Sequence, residues 1–389
     1  MAADLTDPAA ILADLIRCPS VTPAEGGALD LLERLISPLD FACARAPFGQ
    51  GAECIDNLYA RFGEADPHLM FAGHTDVVPV GDAEAWTHPP FAAEIAGGAM
   101  YGRGAVDMKG GIACFVAAFA RHVAAHGAPQ GAVSLLITGD EEGVAVNGTA
   151  KVLEWAAARG ERWDGAIVGE PTNPEAIGDM IKIGRRGSVN ARITVFGKQG
   201  HVAYPHRAQN PVRGLLRLAA ALLDEPFDGG SDDFQPSNLE ITSIDVGNPA
   251  TNVIPAQAEA AFNIRFNDHW SAETVKGEIL RRLDAAAAGV VRYEIAWAER
   301  PSHVFLTRDE RLIDTLSSAV AAVTGRAPQL STSGGTSDAR FIKDYCPVVE
   351  FGLVGKTMHA VDECVALDDL EILTRIYERF LAEWFGKTV

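Results

Sequence analysis

Three short apolar segments of this 389-residue chain each end at a glycine, and side chains able to bind a metal ion follow directly. The segments are residues 68–73, 133–139 and 166–169. The side chains that follow them are one histidine and four carboxylates: His74, Asp76, Glu141, Glu142 and Glu170. Nitrogen and oxygen ligands without cysteine suit zinc, cobalt or manganese, and they argue against a structural zinc site of the cysteine type.

Two further candidates lie elsewhere in the chain. Asp107 stands in a glycine-rich stretch at 101–110, and His359 follows a later apolar segment. Alone, Asp107 could be a plain helix cap. Together, the candidates supply one histidine and carboxylates for each of two metal ions. Two ions about 3.5–4 Å apart, joined by a bridging carboxylate, are a known hydrolytic device.

Two pairs of residues that are close in sequence suggest separate roles at such a metal site. The Asp76 carboxylate could orient the His74 ring through its second nitrogen. Glu141 and Glu142 should point in different directions, so that one binds metal while the other faces an attacking water. Because adjacent like charges repel, this pair implies a counter-cation. A solvated acidic turn is the alternative, and the apolar segment leading into the pair argues against it.

The three apolar segments predict strands that are buried on both faces, as in the parallel sheets of α/β proteins. Ligands of such sheets bind beyond the carboxyl ends of the strands. We therefore expect a doubly wound α/β domain with the candidate ligands along one edge. A helix should follow Asp107, and further elements are predicted as a helix at 309–323, a strand at 348–351 and a helix at 367–385.

From residue 182 the pattern changes to strands that alternate polar and apolar residues. The predicted elements are strand 188–196, helix 211–223, strand 239–246, strand 258–266, helix 271–288 and strand 290–297. This β-α-β-β-α-β order is that of a ferredoxin-like α+β domain. We predict a discontinuous catalytic domain, residues 1–181 and 298–389, into which residues 182–297 are inserted. Arg265 lies on the polar face of its strand, where its fork could bind a carboxylate.

Composition narrows the classes of partner. The net charge of −19 makes a nucleic-acid partner unexpected, since phosphate binding needs a basic face. No apolar stretch reaches the roughly 20 residues of a membrane span, and the N-terminus does not read as a signal peptide, so a cytoplasmic protein is expected. The six cysteines form no CxxC pair and are predicted to be buried free thiols.

Four motifs resemble the signature of the co-catalytic metallopeptidase and deacylase family, which includes aminoacylases, acetylornithine deacetylase and glutamate carboxypeptidases. They are GHTDVVPVG at 73–81, GRGAVDMKG at 102–110, EEG at 141–143 and GEPT at 169–172. Four more segments are similar to the branch of that family that acts on N-succinyl-L,L-2,6-diaminopimelate. These are GRRGS at 184–188, GHVAYPH at 200–206, TNVIP at 251–255 and SGGTSDAR at 333–340. The resemblance runs through the whole chain.

The resemblance implies a role for each site residue. His74 and Glu170 would hold one metal ion, Glu142 and His359 the other, and Asp107 would bridge them. The two ions would be zinc, with cobalt or manganese as alternatives. Glu141 would be the general base. His201 would stabilise the tetrahedral oxyanion, reaching the neighbouring protomer's site. The substrate's carboxylates and amine would be bound by Arg185, Ser188, Tyr204, Asn252, Arg265 and Thr336.

The implied reaction is hydrolysis of N-succinyl-L,L-2,6-diaminopimelate to succinate and L,L-2,6-diaminopimelate, a step towards lysine. The resemblance also implies a homodimer formed through the inserted lid domain. The sequence departs from the pattern at Gly355 and Lys356, where several members of the family have Asn-Ala. That difference leaves open a sister activity, such as acetylornithine deacetylase or a di-zinc dipeptidase or carboxypeptidase. A non-catalytic binding protein is a third reading, but no expected ligand is missing.

Overall fold

The computed structural model describes residues 4–386, and their contacts divide the chain into two compact units. The larger contains residues 4–183, 307–331 and 337–386, and the smaller contains 184–306 and 332–336. The smaller unit thus includes residues 298–306 and 332–336, which the sequence pattern assigns to the larger domain. Two contacts explain the difference. Residues 305–306 pair as a strand with 184–185, and Arg185 donates a hydrogen bond to the carbonyl of Ser333.

The bounds of the helices and strands follow the chain. The first part of the larger unit contains α1 (Pro8–Ile16), α2 (Ala28–Ile36), β1 (Ala42–Arg45), β2 (Leu58–Phe62), β3 (His68–His74), β4 (Glu94–Ala96), β5 (Ala99–Tyr101), α3 (Lys109–His126), β6 (Ala132–Thr138), α4 (Thr149–Ala157), β7 (Gly165–Val168) and β8 (Met180–Lys182). The smaller unit contains β9 (Gly184–Arg185), β10 (Gly187–Phe196), β11 (Gly200–His201), α5 (Pro211–Leu223), β12 (Asn238–Asp245), β13 (Val253–Ile254), β14 (Gln257–Phe266), α6 (Ala272–Ala287), β15 (Arg292–Trp297) and β16 (Phe305–Leu306). The chain then returns to the larger unit with α7 (Glu310–Thr324), β17 (Gln329–Ser331), α8 (Ala339–Ile342), β18 (Val348–Glu350), β19 (Cys364–Ala366) and α9 (Leu367–Trp384).

The larger unit is built on a mixed sheet with the strand order β1-β2-β6-β3-β7-β18-β8-β17. The four central strands, β6, β3, β7 and β18, are parallel, while β1, β2 and the β18–β8 pair are antiparallel. Every residue of β3, β6 and β7 is buried, which confirms the predicted α/β fold with strands covered on both faces. The antiparallel strand β1 at the edge of the sheet and its neighbour β2 were not predicted, because these short strands carry a weaker apolar pattern.

Helices cover both faces of this sheet. On one face α1, α3, α7 and α9 form a core with alternate strand residues, and the ring of Phe71 stacks on Phe115 of α3 at 4.2 Å between centroids. The intervening strand residues, such as Met70 and Leu136, are equally buried but lie outside that core. The helix α4 contacts β6 and α8 there. The predicted doubly wound arrangement is confirmed.

The smaller unit has a four-stranded antiparallel sheet in the order β12-β14-β10-β15. The chain visits it as β10, α5, β12, β14, α6 and β15, which confirms the ferredoxin-like prediction. Residues of β14 alternate strictly between buried and partly exposed, and Phe262 and Ile264 pack in the core formed with α5 and α6. Ser271 caps α6 with a capping box, as its sequence position suggests.

No helix within residues 4–386 is long and apolar enough to cross a membrane. The cysteines are free, as predicted, but only Cys114 and Cys346 are buried. Cys54 is exposed, contrary to the prediction, because it lies in a surface loop ahead of β2.

Candidate metal centre

Neighbouring parallel strands bring three of the candidate segments to one edge of the main sheet. His74 is the last residue of β3, Glu142 lies four residues beyond the end of β6, and Glu170 lies two residues beyond β7. Because β6, β3 and β7 are adjacent and parallel, their carboxyl ends meet. Asp107 comes to this edge just ahead of α3, and His359 comes from the loop between β18 and β19.

Asp107 lies between the two histidines. Its Oδ1 is 3.2 Å from His74 Nε2, and its Oδ2 is 3.1 Å from His359 Nε2. Glu170 Oε1 is 3.4 Å from His74 Nε2, and Glu142 Oε1 is 2.8 Å from His359 Nε2. The five side chains therefore form two groups of three potential ligands, with ligand atoms within 4.8 Å of one another and Asp107 common to both.

These separations fit the coordination of a small dication. Two ligand atoms bound to zinc at about 2.0–2.1 Å and at the tetrahedral angle are about 3.3 Å apart. Four measured separations, from 2.8 to 3.4 Å, lie near that value. The donor set of imidazole and carboxylate is also one that zinc accepts. The residues present thus fit one metal ion in each group.

The electrostatics of the cluster indicate unbalanced negative charge. Burial and repulsion from Asp107 raise the pKa of Glu170 to about 8. Burial and repulsion from Glu170 also raise the pKa of Glu141 well above its ordinary value. Hydrogen bonds to Asp107 and Glu142 raise the pKa of His359 to about 10. A divalent cation among these groups would reverse these shifts, because it favours ionised carboxylates and neutral imidazoles.

Burial and hydrogen bonding also have opposite effects on the pKa values of the two buried members of the cluster, His74 and Asp107. Burial alone would lower the pKa of His74, but its hydrogen bonds to Asp107 and Glu170 outweigh burial and raise it. Burial would raise the pKa of Asp107, but hydrogen bonds from His359 and His74 hold it well below its ordinary value. His359 differs from both in being about half exposed, with 49% of its side chain accessible. The group that contains it therefore opens to solvent.

Asp76 lies at the site, but its carboxylate makes no hydrogen bond to the second ring nitrogen of His74, through which it was predicted to orient the ring. Nδ1 of His74 hydrogen-bonds to the main-chain carbonyl of Asp76 at 2.9 Å, whereas the Asp76 carboxylate is 3.6 Å away. That carboxylate instead accepts hydrogen bonds from the backbone N–H groups of Glu141 and Glu142. The backbone carbonyl can reach the ring because the chain leaves β3 at His74. The Asp76 carboxylate therefore holds the backbone of the two glutamates.

The predicted substrate-binding residues and His201 all lie in the smaller unit, where they form three local groups. The rings of His201 and Tyr204 lie 5.7 Å apart between centroids, tilted by 57°. The carbonyl of Asn252 accepts a hydrogen bond from the backbone N–H of Val202, the residue after His201. Ser188 and Arg265 are register partners on β10 and β14, and Asn263 bonds to both.

The third group joins the start of the smaller unit to its last segment. Arg185 bonds to the carbonyl of Ser333 in the 332–336 segment, which also contains Thr336. In the larger unit, at the departure from the family pattern, Lys356 pairs with the exposed carboxylate of Glu175. The ammonium group that replaces the expected alanine side chain is therefore neutralised locally.

The sequence patterns missed one group of residues at this edge. Glu363, four residues after His359, is fully buried and pairs with the equally buried Arg103. A carboxylate at a fixed short spacing after a histidine ligand was the available signal. Its acidic neighbour Asp362 accepts hydrogen bonds from the backbone N–H groups of Thr87 and His88.

Comparisons with known proteins agree with this fold. The sequence profile of peptidase family M20/M25/M40 matches residues 70–383, and the chain belongs to this family. The M20 family metallo-carboxypeptidase Sso-CP2 from Sulfolobus solfataricus is 18% identical, with a TM-score of 0.79 over 96% of this chain and 98% of that one.

Two further solved structures are similar over nearly their whole lengths. Aminopeptidase PepT from Bacillus cereus is 18% identical, with a TM-score of 0.78 over 99% of this chain and all of that one. The YXEP protein of Bacillus subtilis, described as a dinuclear metal binding peptidase from the M20 family, is 18% identical, with a TM-score of 0.72 over 97% of both chains. At these identities the similarity shows a shared fold, and it does not extend to the substrates of those proteins.

Proposed function

We propose that this protein is a succinyl-diaminopimelate desuccinylase, a di-metal amide hydrolase that releases succinate from N-succinyl-L,L-2,6-diaminopimelate. The observation that carries the hydrolytic part is the position of Asp107, whose two oxygens each lie beside a different histidine. A carboxylate placed in this way could serve two neighbouring metal ions, as in known hydrolytic sites with two metals. The dinuclear site described for the similar YXEP protein supports the same reading.

In this proposal each group of three residues would hold one ion. His74 and Glu170 would hold the first, Glu142 and His359 would hold the second, and Asp107 belongs to both groups. Zinc fits the nitrogen and oxygen donors and the spacings, and cobalt or manganese could take its place. Once bound, divalent ions of this kind lower the pKa of water and polarise an amide carbonyl.

Glu141 carries the proton through the reaction. Its carboxylate accepts a proton from the attacking water, whose oxygen bonds to the amide carbon. The carbon–nitrogen bond then breaks, and Glu141 returns the proton to the leaving amine. A general base within reach of both positions contributes about 10²–10⁴-fold to the rate. The backbone N–H of Glu141 donates a hydrogen bond to the Asp76 carboxylate, which helps to hold this residue in place.

The substrate assignment rests on the motifs of the smaller unit. Arg185 and Arg265 offer bidentate forks for the substrate's carboxylates, and Ser188, Tyr204, Asn252 and Thr336 offer neutral hydrogen-bonding groups. In the same proposal, His201 stabilises the oxyanion in the neighbouring protomer's site, so the active form is a homodimer joined through the smaller unit. A separate activity on acetylated or peptide substrates is the alternative, favoured by Gly355 and Lys356 and by the peptidase names of the similar structures.

The deciding experiment compares substrates on zinc-loaded protein. N-succinyl-L,L-diaminopimelate, N-acetylornithine and a simple dipeptide are assayed side by side for release of succinate, acetate or free amino acid. We expect strong preference for the succinyl substrate and loss of turnover on chelation. Preference for acetylornithine or the dipeptide would retain the metal mechanism and reject the substrate. Turnover that survives complete metal removal would reject the mechanism itself.

A further inference from the structure

An ion pair lies buried behind the metal centre of the larger unit. Arg103 Nη1 is 2.7 Å from Glu363 Oε2, and both side chains are almost wholly shielded from solvent. Compared with well-packed apolar residues of similar volume, a buried ion pair adds little net stability, because both charges lose their hydration. Stability alone therefore does not explain it, and its neighbours suggest what it does.

The Glu363 carboxylate binds the backbone that carries Asp107. Its Oε1 accepts from the N–H groups of Val106 at 2.9 Å and of Asp107 itself at 3.3 Å. Its Oε2 accepts from the N–H of Gly104 at 3.1 Å as well as from Arg103. One side chain thus fixes the loop between β5 and α3 over the residues that end at Asp107.

The same pair binds the segment that carries His359. Glu363 is only four residues beyond His359, and its own carbonyl accepts from the N–H of Gly102 at 2.8 Å. The Arg103 guanidinium donates to the carbonyl of Ala360 at 3.2 Å, next to His359, and to that of Pro79 at 3.4 Å. It also lies over the ring of Trp86, 5.2 Å from its centroid. Three loops are held together at this point.

The backbone of residues 359–363, the segment that begins with His359, requires such support. His359 has a φ of 62° and Asp362 a φ of 58°, both in the left-handed region that non-glycine residues seldom occupy. Residues persist there only when their surroundings hold them. Asp362 is held by the backbone N–H groups of Thr87 and His88, and its neighbour Glu363 by the contacts described above. Without these contacts, the backbone preferences of His359 and Asp362 would favour a conformation with negative φ.

We propose that Arg103 and Glu363 are positioning residues that hold Asp107 and His359 in register, so that both can bind the same metal ion. This inference rests on the proposed di-metal function. Neither residue touches the ion or the substrate. Their effect is on the relative placement of two ligands that lie 252 residues apart in sequence. Loss of the pair should therefore weaken one of the two ions more than the other.

The test compares metal affinity in folded protein. In Glu363→Gln one carboxylate oxygen becomes an amide group, which is a donor and faces either backbone N–H groups or the guanidinium. Zinc is titrated against a chromogenic chelator to give two dissociation constants. We expect one of the two dissociation constants to weaken about 10–100-fold, as for other residues that orient metal ligands, with the other changed far less. Glu363→Asp, which keeps the charge, should recover part of the loss.

The matched control is Glu161→Gln, which breaks another arginine–glutamate pair of the larger unit, the one with Arg61 near the start of β3. It should lower thermal stability and leave both zinc constants unchanged. If Glu363→Gln binds both ions as wild type does, or if the control weakens zinc equally, the inference is wrong. Should Glu363→Gln fail to fold, Arg103→Lys decides: it keeps the charge but removes the fork, and wild-type zinc constants in it would overturn the inference. Wild-type protein that binds no zinc at all would instead refute the proposed function.

Discussion

Oδ2 of Asp76 accepts a hydrogen bond from the backbone N–H of Glu142 at 3.0 Å. The other carboxylate oxygen accepts from the N–H of Glu141 at 3.2 Å. A single side chain two residues beyond the end of β3 therefore fixes the turn after β6 that carries the proposed base and a proposed ligand. The side chains of the two glutamates can point in different directions because the Asp76 carboxylate holds the backbone of both residues.

The first prediction concerns this contact. In Asp76→Asn one acceptor becomes a donor, so one of the two backbone N–H groups loses its partner. We expect folded protein whose turnover falls about 10–100-fold, the usual cost of disturbing groups that orient a metal site. Turnover and circular dichroism are measured together. Asp164→Asn is the control, since Asp164 accepts from the backbone N–H of His68 at the opposite end of β3. Equal losses in both variants would argue against a specific role.

The second prediction separates proton transfer from metal binding. Glu141→Gln keeps the size of the side chain and removes its ability to take a proton. Turnover should fall about 10²–10⁴-fold, because a general base is lost. Metal content, measured by elemental analysis, should stay at the wild-type value, since Glu141 belongs to neither group of potential ligands. Full activity in this variant would remove Glu141 from the mechanism.

The third prediction concerns His359. This side chain is a member of the group that also contains Glu142 and Asp107, and no other histidine of the described residues belongs to that group. His359→Ala should lower the bound metal from about two ions to about one. His88→Ala, which alters a neighbouring ring that pairs with Glu94, should retain both ions. An unchanged metal count in the first variant would contradict the ligand assignment.

The fourth prediction concerns the close approach of α3 to the end of β7. A Cβ atom on Gly111 would collide with the backbone carbonyl oxygen of Gly169, the residue before Glu170. Gly111→Ala should therefore lower the free energy of unfolding by about 1–3 kcal/mol, as overpacking does. Gly277→Ala is the matched control, because this glycine of α6 has open space around it. It should be stabilising by up to about 1 kcal/mol, from helix propensity. Urea unfolding measures both.

The fifth prediction concerns pH and the smaller unit. Burial would raise the pKa of Asp228, but hydrogen bonds led by those from Ser237, and including that of Trp270, hold it at about 2. A carboxyl whose pKa is lower in the folded state stabilises the fold above the unfolded-state pKa of about 3.9. That contribution is lost as the pH falls towards the folded-state pKa.

Asp228→Asn should therefore be less stable than wild type at pH 7, and the difference should shrink below about pH 4. Tryptophan fluorescence during urea unfolding at pH 7, 4 and 3 measures it. Asp232→Asn is the control, since Asp232 is an exposed aspartate four residues further along the chain. A difference between wild type and Asp228→Asn that is independent of pH would contradict the prediction.

Some features of the site follow from local pattern, and others do not. The strand before His74 and the alternation around Arg265 are visible in a few residues, because side-chain periodicity reports burial directly. The hydrogen-bonding role of Asp76 is not visible, since its partners lie 65 and 66 residues away. The extension of the smaller unit to residues 305–306 and 332–336 depends in the same way on pairing between distant segments.

By itself, the sequence determined the α/β and ferredoxin-like elements, their order, and the residue types offered at the strand ends. These depend on interactions within one helix or strand, which periodicity and capping residues encode. Tertiary structure alone decided that Asp107 lies between His74 and His359, and that Arg103 and Glu363 hold two of the loops. Such placements join segments up to 285 residues apart in sequence. They are set by the order of the strands in the sheet. Interactions within a single helix or strand do not determine that order.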